Sequence, residues 1–401
     1  MSLIVMKFGG SSVANAERMF RVAERITNCY KEGNDVVVVL SAQGDTTDDL
    51  IEKAKEINPN GSKREMDMLL SCGEQMSVAL CAMAIQKLGC PVVSLNAWQV
   101  NLRTDSRYGN AHITKTSGKR IREELDRKRI VLVTGFQGVN REEDITTLGR
   151  GGSDTSAVAL AVALKADLCQ IYTDVEGVYT ADPRLVPNAR KLQEITYDEM
   201  LELASLGAQV LHNRSVQMAK RYHIDLEVLS SFKNVPGTIV KEVAKMEKVV
   251  ISGVAKDKSI ARIALVGLNN EPGVAYQIFA QLAKKNIDVD VILQSIGRDD
   301  SKDISITVDL GDCDEAVAIL ESKKEELGFE YLNVRKDVAK VSIVGGGMLN
   351  TPGIAATMFQ ALYEAHINIH MISTSEIKIT VLIDEDKADK AVEAIHNKFF
   401  D

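Results

Sequence analysis

Three stretches of this chain combine glycine, hydroxyl side chains and fixed charge in patterns that suit a phosphate-bearing ligand. The first, Lys7-Phe8-Gly9-Gly10-Ser11-Ser12, ends an apolar run and opens an amphipathic one. Gly9 and Gly10 let the backbone approach an anion, Ser11 or Ser12 can cap the following helix, and the helix N-terminus favours negative charge beside Lys7. An ordinary glycine turn with a cap would use the same residues, so this motif alone does not decide. Residues 146–156 (TTLGRGGSDTS) form a second glycine-rich loop that runs into an apolar helix, with Arg150, Ser153 and Asp154 set among the glycines. Two anion-receptive helix starts in one domain predict one polyphosphate held from two sides. Residues 173–184 (TDVEGVYTADPR) follow a strand and place Asp174, Tyr179, Asp182 and Arg184 in one loop, a mixture that suits a nucleotide's base, ribose and phosphate. Two shorter segments look substrate-facing: 41–48 (SAQGDTTD) after a strand, and 71–75 (SCGEQ) in a long helix, where Glu74 is an acid in an apolar stretch able to pair with an ammonium group. No Walker A or G-x-G-x-x-G pattern occurs.

The elements that must position these residues read as alternating strands and helices. Short apolar runs at 3–8, 35–40, 92–95, 130–134, 168–173 and 226–230 predict strands. Apolar spacing of three to four predicts helices at 14–31, 66–88, 113–128, 154–165, 196–203 and 214–222. That alternation implies a parallel-rich α/β sheet. A turn-rich and then charged stretch at 234–248 marks a domain boundary after about residue 240.

At 401 residues the chain exceeds the size at which single cores stop growing, roughly 250 residues. Its net charge of −8, with neither sign gathered into a block, argues against nucleic-acid or membrane partners. The six cysteines form no C-x-x-C pair and the six histidines no H-E-x-x-H motif, so neither zinc nor any other protein-held metal, nor a disulfide framework, is expected. His366 and His370, four apart in a strand region, read as core or surface histidines. The N-terminus lacks a leader pattern, and no apolar run approaches the ~18 residues that span a bilayer, which together predict a cytoplasmic chain.

The last 150 or so residues contain a repeat. Laid without gaps, 272–295 (PGVAYQIFAQLAKKNIDVDVILQS) and 352–375 (PGIAATMFQALYEAHINIHMISTS) agree at eight of 24 positions, and the strands before them, 261–267 and 339–345, also match. Each copy reads strand, Pro-Gly turn, helix, strand, strand, helix, a ferredoxin-like unit in tandem. The first copy, 261–336, has a fourth strand near 329–335, whereas the second, from 339, has none. Residues 249–255 (VVISGVA) read as a strand without a partner, and an unpaired edge leaves backbone groups unsatisfied. This strand is therefore expected beside the one beginning near Ala339, making 249–255 plus 339–401 one domain with 261–336 inserted in it.

The segments KFGGSS, LSAQGDTTD, SCGE, GFQG, TTLGRGGSDTSA and TDVEGVYTADPR, in this order and followed by two PG repeats, closely resemble the aspartate kinase family, in its monofunctional form with tandem ACT domains. The resemblance spans essentially the whole chain and implies an amino-acid kinase fold followed by two βαββαβ ACT domains. It implies phosphoryl transfer from ATP, with Mg²⁺ held mainly through the nucleotide phosphates, to L-aspartate. By the same likeness Lys7, Gly9, Gly10, Ser11 and Ser41 cradle phosphate, and Thr173, Asp174, Tyr179, Asp182 and Arg184 contact nucleotide. Thr47, Glu74, Arg150, Gly151, Gly152 and Ser153 contact aspartate, and Lys7 and Asp154 are catalytic. Asn270, Gln294, Asn368 and Ile369 are implied contacts for lysine or threonine as effectors, in a homo-oligomer or an assembly with a shorter regulatory subunit that could start at Met246. The chain departs from the family at Gln209, where a lysine near the nucleotide phosphates is usual, and at Asn213, often proline. Another amino-acid kinase, acting on glutamate or acetylglutamate, and an amino-acid-binding regulatory protein with a degenerate kinase domain remain the alternatives.

Overall fold

The computed structural model describes residues 2–208, 210–243, 250–296, 301–348 and 351–400. Gln209, Met246 and Val249, each singled out above, lie outside these residues. The described residues form two compact units, one of 2–179, 191–205 and 210–243, the other of 180–190, 206–208, 250–296, 301–348 and 351–400.

The first unit opens with β1 (Leu3–Phe8), α1 (Ala16–Lys31), β2 (Asp35–Leu40), α2 (Thr46–Ile57), α3 (Lys63–Lys87), β3 (Val92–Leu95), β4 (Arg103–Thr104), β5 (Ile113–Lys115) and α4 (Lys119–Asp126). It continues with β6 (Ile130–Thr134), β7 (Gln137–Val139), β8 (Ile145–Thr147), α5 (Gly152–Leu164), β9 (Leu168–Thr173), β10 (Glu194–Thr196), α6 (Tyr197–Leu203), α7 (Asn213–Tyr222), β11 (Leu226–Ser230) and β12 (Thr238–Lys241). Eight strands make one sheet in the order β10-β12-β11-β9-β1-β2-β6-β3, parallel throughout except between β11 and β12. A parallel sheet is covered on both faces, and accordingly Val36, Val37, Val38, Val39 and Leu40 of β2 are fully buried. Each such side chain contributes about 1.5–3 kcal/mol. α5 is apolar all round beyond its polar start, with eleven of its thirteen residues buried, as a helix enclosed by its own domain must be.

Several boundaries differ from the sequence reading for local reasons. The expected helix 113–128 is a short strand, β5, followed by α4, because β-branched residues lead into Ser117-Gly118, and Gly118 packs against Leu164 where a Cβ would lie 2.7 Å away. Ser11 and Ser12 do not cap α1. Gly10–Val13 is a 3₁₀ turn, and Asn15 caps the helix by accepting from the Arg18 amide. α2 was not expected at all. α3 is long and apolar enough by length and composition to cross a membrane, although its apolar residues form no unbroken run of that length. Its buried face carries Asp67, Ser71, Glu74 and Ser77 beside Leu70, Val78, Cys81 and Ile85, the pattern of a core helix.

The second unit comprises β13 (Gly253–Asp257), β14 (Ile260–Leu268), α8 (Val274–Lys284), β15 (Ile292–Ile296), β16 (Lys302–Asp309), α9 (Cys313–Ser322), α10 (Lys324–Leu327) and β17 (Tyr331–Arg335). Then follow β18 (Val338–Val344), α11 (Ile354–Glu364), β19 (Met371–Thr374), β20 (Lys378–Asp384) and α12 (Ala388–Phe400). Its two four-stranded sheets run β15-β16-β14-β17 and β13-β18-β20-β19. The same position is filled by β17 in the first sheet and by β13 in the second, where Gly253 to Asp257 run antiparallel to Val344 to Lys340. In both copies the glycine of the Pro-Gly turn takes a positive φ, 99° at Gly273 and 96° at Gly353, and starts the helix, which is the conformational reason the dipeptide repeats. His370 is half-buried, and its Nε2 lies 2.7 Å from Asp384 Oδ1 and 3.1 Å from Arg335.

Residues 180–190 pack onto the second sheet's core. The Val254 amide donates to the Thr180 carbonyl at 2.7 Å, Thr180 Oγ1 lies 2.8 Å from His396 Nε2, and Ala181 and Val186 join the apolar cluster of β18 and α11. At the entry to β13, Gly345 has no room for a side chain, since a Cβ there would lie 2.2 Å from the Val250 carbonyl oxygen. Gly345→Ala should therefore push the chain leading into β13 off its sheet and cost about 1–3 kcal/mol, the usual range for overpacking. Denaturant unfolding of the full chain checks this, and an unchanged unfolding midpoint would contradict it.

Candidate active site

The sequence-singled residues of the first unit gather where loops leave the C-terminal ends of β1, β2, β6 and β9, the edge at which open parallel sheets bind ligands. Lys7 sits on the central strand β1, paired with Val39 of β2 and Ile171 of β9. Its Nζ makes an ion pair of 2.6 Å with Asp154 in the first turn of α5, and both side chains are largely buried. A Cβ on Gly9 would lie 3.5 Å from that ammonium, so the charge stands directly over the glycine turn. The N-terminus of α5 adds its dipole to the same place.

Gly10 is fixed by close approach. A Cβ there would lie 2.6 Å from the Ala42 carbonyl oxygen, and the Gly44 amide donates to the Gly10 carbonyl at 3.0 Å. Ser11 is exposed, while Ser12 is buried and shares a 2.6 Å hydrogen bond with Ser231 beyond β11. Ser41 Oγ donates to Ser153 Oγ at 2.9 Å, and Ser153 in turn packs under Gly135, where a Cβ would meet its Oγ at 2.6 Å. Thr47 lies half-buried in the first turn of α2.

Glu74 is 2% exposed. Its Oε1 accepts from the Ala42 amide at 3.1 Å, and its Oε2 is buried without a hydrogen-bond partner. Burial pushes its carboxyl up to about 8. Gly73 permits this arrangement, because a Cβ would lie 2.7 Å from Ala42 Cβ. A buried acid with one unmet oxygen, at the edge of an anion-receptive cradle, can pair there with a cation.

Arg150 is exposed between Gly149 and Gly151, both at positive φ (76° and 67°), with Gly152 buried at the start of α5. His212 packs over Gly151, where a Cβ would lie 2.2 Å from the ring, and burial holds its imidazole below the ordinary value. Arg214 grips the same loop, donating to the Leu148 carbonyl at 2.6 Å, the Ala111 carbonyl at 2.7 Å and Asn110 Oδ1 at 3.2 Å. Neither His212 nor Arg214 was picked out as a functional residue from the sequence, because the contacts that place them are made by residues far away in the chain.

Thr173 and Asp174 follow β9, with Thr173 Oγ1 donating to Asp174 Oδ1 at 3.1 Å, and Tyr179 bridges to Lys191. Asp182 and Arg184 belong to segment 180–190 of the second unit, and they pair with each other at 2.8 Å. The residues implied for effectors also lie in the second unit. Asn270 follows β14, Gln294 is exposed on β15, Asn368 is exposed before β19, and the neighbouring Ile369 packs on the core of the second sheet.

A model of the amino acid kinase family matches residues 2–230, and an ACT-domain model matches 263–323 and 341–399. The chain is 50% identical over 405 residues to the aspartokinase of Mycolicibacterium smegmatis, covering all of this chain and 96% of the relative. It is 48% identical over 400 residues to aspartokinase 2 of Bacillus subtilis, covering 98% of that protein. Among solved structures it is similar to E. coli aspartokinase III in complex with aspartate and ADP, with a TM-score of 0.84 at 26% identity and full coverage of both chains. The Clostridium acetobutylicum aspartate kinase gives a TM-score of 0.80 at 25% identity, covering 99% of this chain and all of that one.

The raised carboxyl of Glu74 has a measurable sign. Between about pH 4.5 and about 8 the folded, ligand-free protein holds a proton that the unfolded chain has released, so stability falls as pH rises through that window and levels off above it. Glu74→Gln removes this contribution. The stability difference between wild type and variant, from denaturant unfolding without substrate, should therefore shift against wild type from pH 4.5 to 8. A difference independent of pH would show that the carboxyl is not perturbed.

Proposed function

The chain belongs to the aspartokinases of the amino acid kinase family, ATP-dependent kinases, and from that premise we propose that it transfers the γ-phosphoryl group of ATP to the side-chain carboxylate of L-aspartate. The product is 4-phospho-L-aspartate, which opens lysine, threonine and methionine synthesis in the cytoplasm. The observation that carries this reading is the Lys7–Asp154 pair standing over the Gly9 turn, in the same strand-end site as the unmet oxygen of Glu74.

A carboxylate of pKa about 3.9 is already ionised near pH 7, so the acceptor needs no general base. One carboxylate oxygen attacks the γ-phosphorus, the bond to the bridging oxygen breaks, and ADP leaves with no proton moved. Positioning and charge neutralisation are then what the protein supplies. Gly9, Gly10, Ser11 and Ser41 would hold phosphate oxygens, with Thr173, Asp174 and Tyr179 toward the nucleoside. Lys7, held by Asp154, would stabilise the transferring group. Glu74 would take the substrate ammonium and Arg150 a substrate carboxylate, with Thr47, Gly151, Gly152 and Ser153 completing that half. Mg²⁺ would be held mainly through the nucleotide phosphates.

The repeated sheets of the second unit would carry feedback regulation, with lysine or threonine near Asn270, Gln294, Asn368 and Ile369. E. coli aspartokinase III, at a TM-score of 0.77 and 27% identity, has been solved in complex with lysine and aspartate. Assembly would run through the same sheets, whose outer strands leave Ile292, Leu293 and Ile372 exposed. β13 supports reading 261–336 as a domain inserted into one built from β13 and the residues from 339 onward.

ADP release from Mg-ATP with aspartate, glutamate and acetylglutamate in parallel tests the reaction. Turnover should require aspartate, and turnover with another acceptor alone would overturn the assignment. Lys7→Ala should lower kcat at least 10²-fold while leaving KM for aspartate within about threefold, because its charge matters most as the phosphoryl group moves. Lysine and threonine together should raise the melting temperature, and no shift with either or both would end the regulatory reading.

A further inference from the structure

Asp67 is a buried acid in the first unit to which neither the motifs nor the family likeness gives a role. It is 1% exposed, on the same face of α3 as Glu74 and seven residues before it. At 1.5 Å per residue that places the two about 10.5 Å apart along the helix. Both Asp67 oxygens are engaged. Oδ2 accepts from the Thr147 amide at 2.9 Å and from the Gly109 amide at 2.9 Å, and Oδ1 accepts from Thr147 Oγ1 at 2.7 Å.

These partners lead directly to the loop that carries Arg150. Thr147 ends β8, and Leu148, Gly149 and Arg150 follow it. The Gly109 segment lies along that loop, since the Ala111 amide donates to the Thr147 carbonyl at 2.9 Å and a Cβ on Gly149 would lie 3.1 Å from the Gly109 carbonyl. One carboxylate thus fixes the axial position of α3, and with it Glu74, against the strand from which Arg150 departs. A second tie, Gln137 Nε2 donating to the Ser71 carbonyl at 3.0 Å, holds the helix turn between them. Burial raises the Asp67 carboxyl while these three accepted hydrogen bonds favour its ionised form, and three such bonds on one buried side chain make a rigid clamp.

We propose that Asp67 is a positioning residue for the amino-acid half of the site, setting the separation between Glu74 and Arg150 and hence the length of amino acid that both can hold. The inference rests on the proposed roles of those two residues in binding aspartate. It places Asp67 in contact with no substrate.

Steady-state kinetics of Asp67→Ala, Asp67→Asn and Glu74→Gln in the full chain test it. Asp67→Ala should raise KM for aspartate tenfold or more, with kcat and KM for ATP within about threefold. Asp67→Asn should restore KM to within about threefold of wild type, because an amide can present its oxygen to both backbone amides and donate its NH₂ to Thr147 Oγ1. An unchanged KM for aspartate in Asp67→Ala, equal weakening of aspartate and ATP, or an Asp67→Asn as impaired as the alanine variant would each overturn the proposal. If Asp67→Ala fails to fold, Thr147→Val, which removes one bond of the three, is read by the same selectivity for aspartate with a rise of about threefold. Glu74→Gln separates the premise from the inference. A raised aspartate KM there beside a normal Asp67→Ala defeats the positioning role alone, whereas a normal aspartate KM in Glu74→Gln removes the premise and the proposal together.

Discussion

Ala42 is the point on which the first unit's site depends, because three segments crowd one small residue. Its amide donates to Glu74, its carbonyl oxygen lies where a side chain on Gly10 would fall, and its Cβ lies where a side chain on Gly73 would fall. The contact distances of 2.6 and 2.7 Å leave no tolerance for a Cβ at either glycine. The glycine cradle after β1, the turn after β2 and the buried face of α3 are therefore locked as one body. Whatever the cradle holds is placed at a set distance from whatever Glu74 holds, without any side chain having to move.

The rest of the unit keeps that junction dry and oriented. A parallel sheet buried on both faces offers polar groups only at its strand ends, so the loops there collect the charge that the interior excludes. α5 follows the same rule, being apolar through its body and polar only in the first turn, where Ser153 and Asp154 sit. Lys7 would be costly to bury alone on a central strand, and Asp154 offsets that cost while aiming the ammonium. Arg214 secures the glycine loop through backbone carbonyls, which lets Arg150 on that loop stay exposed and available.

What the sequence made legible divides along physical lines. Strands such as 35–40 and 168–173 were readable because burial on both faces writes an unbroken apolar run, and the phosphate-like loops because glycine and charge coincide at strand ends. α2 was missed since its first turn, Thr46-Thr47-Asp48-Asp49, reads as a polar loop and none of its residues is buried. The strand at 113–115 reads as helix in the sequence because three residues carry too little periodicity to separate the two. Glu74 stood out as an acid among apolar neighbours, whereas Asp67 did not, because it lies in a charged stretch near the helix start and its partners are 42 and 80 residues away. Contacts of that range leave no local signature.

On the proposed reading, the ionisation of Glu74 bears on which amino acids the site accepts. With the site empty, burial holds the carboxyl near a pKa of about 8, so near neutral pH the acid is mostly protonated and its unmet oxygen costs little. A bound ammonium would, on that reading, return the group to its charged form, trading a proton for a cation at a buried position. On the proposed reading, the cost of desolvating the carboxylate is offset only by a ligand that brings positive charge to that position. An amino acid whose nitrogen is acylated brings none and leaves the acid protonated, so it forfeits the strongest interaction in that half of the site while still occupying its volume. On that reading, discrimination against acylated amino acids would come from one buried carboxylate without a steric barrier, provided α3 keeps Glu74 at its distance from Ala42.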